Sequence, residues 1–271
     1  MKLSSQCGGT WLNSDIKKRV LNTQKGFTLV ELMIALTIGL ILLLVIGTVF
    51  SSSRQAFRVQ EDNARIQENG RFALEVIGRS IKQAGHAEIP FTGFKVAFTG
   101  AAIAGTEGVA GAADTITLQY DSAIGDQNCI GTGVVAGDII QNHFNLDAAN
   151  AELQCLGTNG AAPAVPGAPP VGSVLVENIE DLQVLYGIDT TGDQSANRYI
   201  VAPATLVDPL WNQVVTARVC VLIRSDKTNI VVSAGTYLDC NGAAIAVPAD
   251  GRLRRAFTGT FNLRNRVNLL P

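Results

Sequence analysis

Three groups of residues in this chain have types and spacing suited to chemistry. Glu31 is the only charged residue in the 24-residue apolar run from Phe27 to Phe50. A carboxylate in such surroundings is costly unless an opposite charge lies against it, so Glu31 points to charge pairing. Four cysteines follow further along: Cys129, Cys155, Cys220 and Cys240. The run from Asp189 through Asp193 to Asn197 carries oxygen-bearing side chains at alternate positions. That is how a calcium loop begins. The two histidines, His86 and His143, lie too far apart in sequence to assemble a Ser-His or Cys-His pair.

The cysteines and the acidic run have competing readings. In the acidic run, Thr191 stands where a second acid is preferred, Gln194 replaces the turn glycine, and no glutamate closes the loop. A solvated hairpin tip is the favoured reading, so no cofactor is expected and calcium is only the alternative kept. Zinc at the cysteines lacks a CxxC pair and a histidine at ligand spacing. Disulfides need an oxidising compartment, and four cysteines allow three connectivities. The two local pairs, Cys129–Cys155 and Cys220–Cys240, are favoured, with the others left open. No G-x-S-x-G, H-E-x-x-H, P-loop or G-x-G-x-x-G occurs. Acids such as Glu180 and Asp181 read as exposed turn residues, and an enzyme is not expected.

The elements that must hold these residues begin with the apolar run. As a helix it would be roughly 36 Å long, enough to cross a bilayer. Lys17, Lys18, Arg19 and Lys25 precede it, which orients the C-terminal bulk outward across the membrane. A cut after Gly26 would remove a polar leader and keep the apolar segment, unlike a secretory signal. After Ser51 the chain turns polar but stays helical in period. Ile66, Gly70, Ala73, Ile77, Ile81 and Ala84 form one stripe, and Gly85 offers a stop.

Beyond the helix the pattern is β-rich. Strands are expected over Asp114–Tyr120, Asp138–Asn145, Leu182–Ile188, Val214–Arg224, Ile230–Val232 and Phe257–Leu263, with a helical turn around Glu177–Asp181. Gly100–Ala113 and Asn159–Gly172 read as loops. The segments expected are thus a leader over 1–26, an apolar half-helix over 27–50, an amphipathic half over 51–84, and a β-rich domain over 85–271. The fold class is α+β, a long N-terminal helix on an antiparallel sheet.

Lys25-Gly26-Phe27-Thr28-Leu29-Val30-Glu31-Leu32 resembles the processing site of type IV pilins and type II secretion pseudopilins. The resemblance implies cleavage between Gly26 and Phe27 by a prepilin peptidase and N-methylation of Phe27. It also implies pairing of Glu31 with the N-terminal amine of a neighbouring subunit. Asn69-Gly70-Arg71-Phe72-Ala73, Tyr186-Gly187-Ile188-Asp189 and Arg254-Arg255-Ala256-Phe257-Thr258 through Asn262-Leu263-Arg264-Asn265-Arg266 are similar to minor pilins of the PilW family. That implies a single-pass inner-membrane precursor with a periplasmic C-terminus, later found in the pilus at the cell surface. Implied partners are other minor pilins, the major pilin, the peptidase and the inner-membrane assembly platform. The implied role is pilus assembly, in a priming or tip complex; a J-type minor pseudopilin is the alternative.

The leader is long for that resemblance, and a start near Val20 or Leu21 at a non-ATG codon would shorten it. A net charge of −2 for the whole chain, less +4 in residues 1–26, leaves −6 on the remainder. That argues against nucleic-acid binding, which needs a basic face. A calcium-sensitive adhesion module and a membrane-anchored enzyme are the readings from other classes. The first would bind through the domain beyond the helix. The second would keep its activity in Glu31→Ala.

Overall fold

The computed structural model describes residues 26–87, 101–123, 125–133, 135, 138–159, 172–203, 209–231 and 235–265. Residues 1–25 of the expected 1–26 leader, most of the expected Asn159–Gly172 loop and part of Ile230–Val232 lie outside them. The chain divides into two compact units, Met1–Ser52 and Ser53–Pro271.

In the first unit the described residues are almost all the start of helix α1, Leu29–Gln83, which runs 55 residues. Its apolar side chains are exposed, from Leu29 at 74% to Phe50 at 57%. Two hydroxyls in this stretch are satisfied within the helix. Thr37 Oγ1 donates to the carbonyl of Ile34 at 2.9 Å and Thr48 Oγ1 to that of Val45 at 2.8 Å. A helix that solves its own polar groups in this way can enter a water-free medium.

In the second unit α1 continues as an amphipathic helix. The stripe expected from spacing is the buried face: Ile66, Gly70, Ala73, Ile77 and Ile81, followed by Ala84 just past the helix end. The other faces carry exposed i,i+3 and i,i+4 pairs, Arg65–Glu61, Arg71–Glu68 and Arg79–Glu75. Each adds only a few tenths of a kcal/mol. Gly85 adopts φ +74°, the left-handed conformation that ends helices.

Among the described residues two antiparallel sheets and a ribbon follow, where one sheet was expected. The first sheet has strand order β1-β2-β3-β4-β5. Its members are β1 (Ile103–Thr106), β2 (Thr115–Asp121), β3 (Ile139–Asp147), β4 (Glu152–Asn159) and β5 (Ser173–Glu177). The second runs β11-β8-β6-β7, from β6 (Ile179–Ile188), β7 (Arg198–Ile200), β8 (Val214–Arg224) and β11 (Arg254–Asn262). β9 (Thr236–Leu238) and β10 (Ala244–Ala246) pair as a short ribbon. One continuous core joins the helix stripe to both sheets through residues such as Ile77, Phe144, Tyr186 and Val219.

Several expectations are corrected. No helical turn occupies Glu177–Asp181. The chain passes from one sheet to the other at Asn178, which takes φ +65°. A register shift between Ile179 and Asp181 then breaks the period-2 pattern, which is why the stretch imitates a helical turn. Glu180 and Asp181 lie half-buried in β6. The Gly100–Ala113 segment contains β1 and a 3-10 turn at Val109–Gly111. Its small residues hide the strand because they give no alternation to read. Ile230 and Val231 form no ladder. Both of their amides donate to the one carbonyl of Gly251, at 2.8 and 2.9 Å. β8 is buried on both faces from Val219 to Ile223, as a central strand should be, so the polar face expected there is partly closed.

Candidate functional site

The helix entry is built from the residues the sequence singles out. Thr28 precedes the first helical residue, and its Oγ1 accepts the amide of Glu31 at 3.2 Å. Thr28-Leu29-Val30-Glu31 has the S/T-x-x-E form of a capping box, a signal the sequence held unread. Thr28 therefore fixes where the helix starts and places Glu31 in its first turn. Near the positive end of the helix dipole, a carboxylate is eased by a few tenths of a kcal/mol. Phe27 is 84% exposed.

The far end of α1 is fixed by the chain's C-terminal region. Asn265 Nδ2 donates to the carbonyls of Lys82 at 3.0 Å and Gln83 at 3.2 Å, two of the orphans that end any helix. The Gly85 amide donates to Gln119 O at 2.8 Å. Between these ends, β11 lays aromatic rings on glycines of the helix. A Cβ on Gly70 would stand 2.5 Å from the ring of Phe257, and one on Gly78 would overlap that of Phe261. The spacings match: eight helical residues span about 12 Å and four strand residues about 13 Å. Gly70 and Asn265 both belong to segments that carry the resemblance, and their roles are now physical.

The β6–β7 tip holds the calcium candidates. Asp189 Oδ1 accepts the amides of Thr191 at 2.9 Å and Gly192 at 2.7 Å, and Oδ2 accepts that of Gln194 at 2.7 Å. Asp193 Oδ1 accepts the Ser195 amide and Asn197 Oδ1 the Thr190 amide. Burial alone would raise the Asp189 pKa; the amides of Gly192, Gln194 and Thr191 outweigh it, and the net displacement is downward. These oxygens organise the loop's own backbone. Among the described residues no group of three or more histidines, cysteines and acids could hold a metal ion.

Cys129 pairs with Cys155 and Cys220 with Cys240, with Cα separations of 6.3 and 5.6 Å. The first pair ties the segment after β2 to β4; the second ties β8 to the turn after β9. His143 Nδ1 lies 2.8 Å from Thr117 Oγ1, and burial lowers its pKa.

Two charged clusters escaped sequence reading. Arg254 makes paired hydrogen bonds to both Glu180 and Asp250, the shortest at 2.6 Å from Nε to Glu180 Oε2. Asp114, 2% exposed, joins the sheets: Oδ1 accepts the Gly108 amide at 2.8 Å and Oδ2 the Val184 amide at 2.7 Å. Burial raises its pKa against those two hydrogen bonds. Tyr186, fully buried, packs edge-on to Trp211 with centroids 4.8 Å apart.

Comparison with known proteins agrees with this geometry. A Thermus thermophilus protein described as type IV-like pilin TTHA1219 shares the fold, with TM-score 0.52 and 15% identity over 75% of this chain and 98% of that one. The prokaryotic N-terminal methylation motif matches residues 21–47, which contain Gly26, Phe27 and Glu31. No curated protein matches. Fold and N-terminal motif together define what the chain resembles: it has the type IV pilin-like fold and carries the N-terminal methylation motif of that class. Within that class it resembles the family described as Type IV Pilus-assembly protein W, which matches residues 144–265, from β3 through the Asn265 cap. The motif and the apolar helix are consistent with inner-membrane anchoring and with a prepilin peptidase and other pilus components as partners.

Proposed function

We infer that this chain is a minor pilin, cleaved between Gly26 and Phe27, methylated at Phe27, and used in the priming or tip complex of a type IV pilus. The observation that carries this reading is Glu31. It is the only charge in the exposed apolar stretch Phe27–Phe50 that opens α1, a stretch long enough to cross a membrane, one turn from the cleavage junction. In a packed helical bundle that carboxylate is stable only beside a cation, and the processed amine of a neighbour supplies one. The pairing makes Glu31 a device for stagger between subunits. The domain beyond Ser53 supplies lateral contacts. Calcium at the β6–β7 tip does not enter this reading, since the acids there are engaged with backbone amides.

Deleting the gene tests it. Surface pili counted by electron microscopy should vanish or become rare and return on complementation. Normal pili would overturn the reading and shift attention to secretion, where hydrolase export in the same strain is the assay. Glu31→Leu should leave membrane insertion and cleavage intact and lower recovery of the chain in sheared pili. Full recovery would refute the pairing role.

A further inference from the structure

Asp62 lies on α1 within the second unit and is 1% exposed, yet neither carboxylate oxygen has a hydrogen-bond partner. It lines a cavity of about 220 Å³ with Arg65, Asn69, Glu177, Asn178, Arg224 and Asp226. A buried carboxylate without a donor is among the most expensive groups a fold can keep, so this one points to something that completes it.

The neighbouring cations do not. Arg65 is turned to Glu61, at 2.8 Å, and Lys227 reaches the same Glu61 at 3.6 Å. Arg224 gives Nη1 to Glu180 at 3.3 Å, and its buried Nε has no acceptor either. Asp62, Glu177 and Asp226 have no ion-pair partner among the described residues. The lining thus holds three acids against two arginines, each arginine engaged with an acid outside the lining, which leaves net negative charge around one buried carboxylate. The three acids form no cluster that could hold a metal. The volume is below the roughly 300 Å³ at which sites for whole small molecules begin, and suits a single side chain.

We propose that this cavity receives a primary ammonium group, the side-chain end of a lysine presented by a partner polypeptide, with Asp62 as counter-ion. An ammonium is a compact charge with three donors, matched to one carboxylate and the carboxamide oxygens of Asn69 and Asn178. That the source is a polypeptide rests on the assembly reading above; the site itself does not.

The test uses the full chain purified in detergent, with n-butylammonium chloride as the lysine mimic and choline chloride, which has no N–H donor, as the control. At a few times its Kd, n-butylammonium should raise Tm by about 2 °C over choline at equal ionic strength. Asp62→Asn, which keeps shape and removes charge, should abolish the difference. If that variant fails to fold, the rim double variant Glu177→Gln, Asp226→Asn should shrink the difference. Equal shifts with both salts, no shift, or a shift unchanged in Asp62→Asn overturns the site. A rise with calcium chloride instead, lost in Asp62→Asn, also overturns it in favour of a metal. In cells, Asp62→Asn should be depleted from sheared pili, and normal recovery overturns the polypeptide source. If the deletion strain keeps its pili, the assembly reading fails, while the n-butylammonium shift still decides the cavity.

Discussion

Gly78 lies directly beneath the ring of Phe261, so close that any Cβ at 78 would overlap the aromatic carbons. The helix and the last strand are thereby keyed to each other at one residue, and Gly70 beneath Phe257 repeats the key two turns earlier. Glycine is otherwise a poor helix residue, by about 1 kcal/mol against alanine, so its presence here reflects contact distance.

Gly78→Ala should therefore destabilise the chain by about 1–3 kcal/mol despite its better helix propensity, because the ring must move from a packed site. Gly78→Ala combined with Phe261→Leu should recover part of the loss. Urea midpoints of the detergent-solubilised chain decide it; a single variant at or above wild-type stability refutes the key.

Arg254→Gln should cost about 2–4 kcal/mol, because it strands the Glu180 and Asp250 carboxylates that the guanidinium serves. The same cluster sets an acid limit. Arg254, helped by the Arg252 amide, holds the Asp250 carboxyl below its ordinary value of 3.8, at about 2. A depressed carboxylate pKa stabilises the fold at pH above the ordinary value, and that contribution is lost as pH falls from about 4 to about 2. Thermal melts across this window should show a drop that Arg254→Gln flattens.

Asp114→Asn should lower stability by about 1–3 kcal/mol, since a carboxamide offers one acceptor where the Gly108 and Val184 amides need two. The sign with pH is opposite to that of Asp250. Burial raises the Asp114 pKa, so ionising it opposes folding as pH rises through its folded value. The variant's melting curve should accordingly lose this component of the pH dependence.

Reducing the chain should release two linkages, Cys129–Cys155 and Cys220–Cys240, recoverable by non-reducing peptide mapping. Each closes a loop of 26 or 20 residues and contributes roughly 3 kcal/mol by the chain-entropy estimate. Cys129→Ser with Cys155→Ala should show that loss in a urea titration. A peptide linking Cys129 to Cys220 would break the assignment.

What the sequence determined is whatever depends on neighbours along the chain. The apolar run with its one acid, the buried stripe from Ile66 to Ala84, the Gly85 stop and the central strand Val214–Arg224 are all written in periods of 3.6 or 2. The two cysteine pairs are local, and the local choice is the one formed. Tertiary structure decided what depends on residues far apart in sequence. Asn178 sends consecutive strands into different sheets, and Glu180 meets Arg254 across 74 residues. Asn265 closes a helix that ended 182 residues earlier. Asp62 has the spacing of an exposed helical acid and becomes buried where the ends of β5 and β8, at Glu177 and Arg224, meet the helix. Such contacts leave no trace in local pattern, because each partner alone satisfies the rules of its own helix or strand.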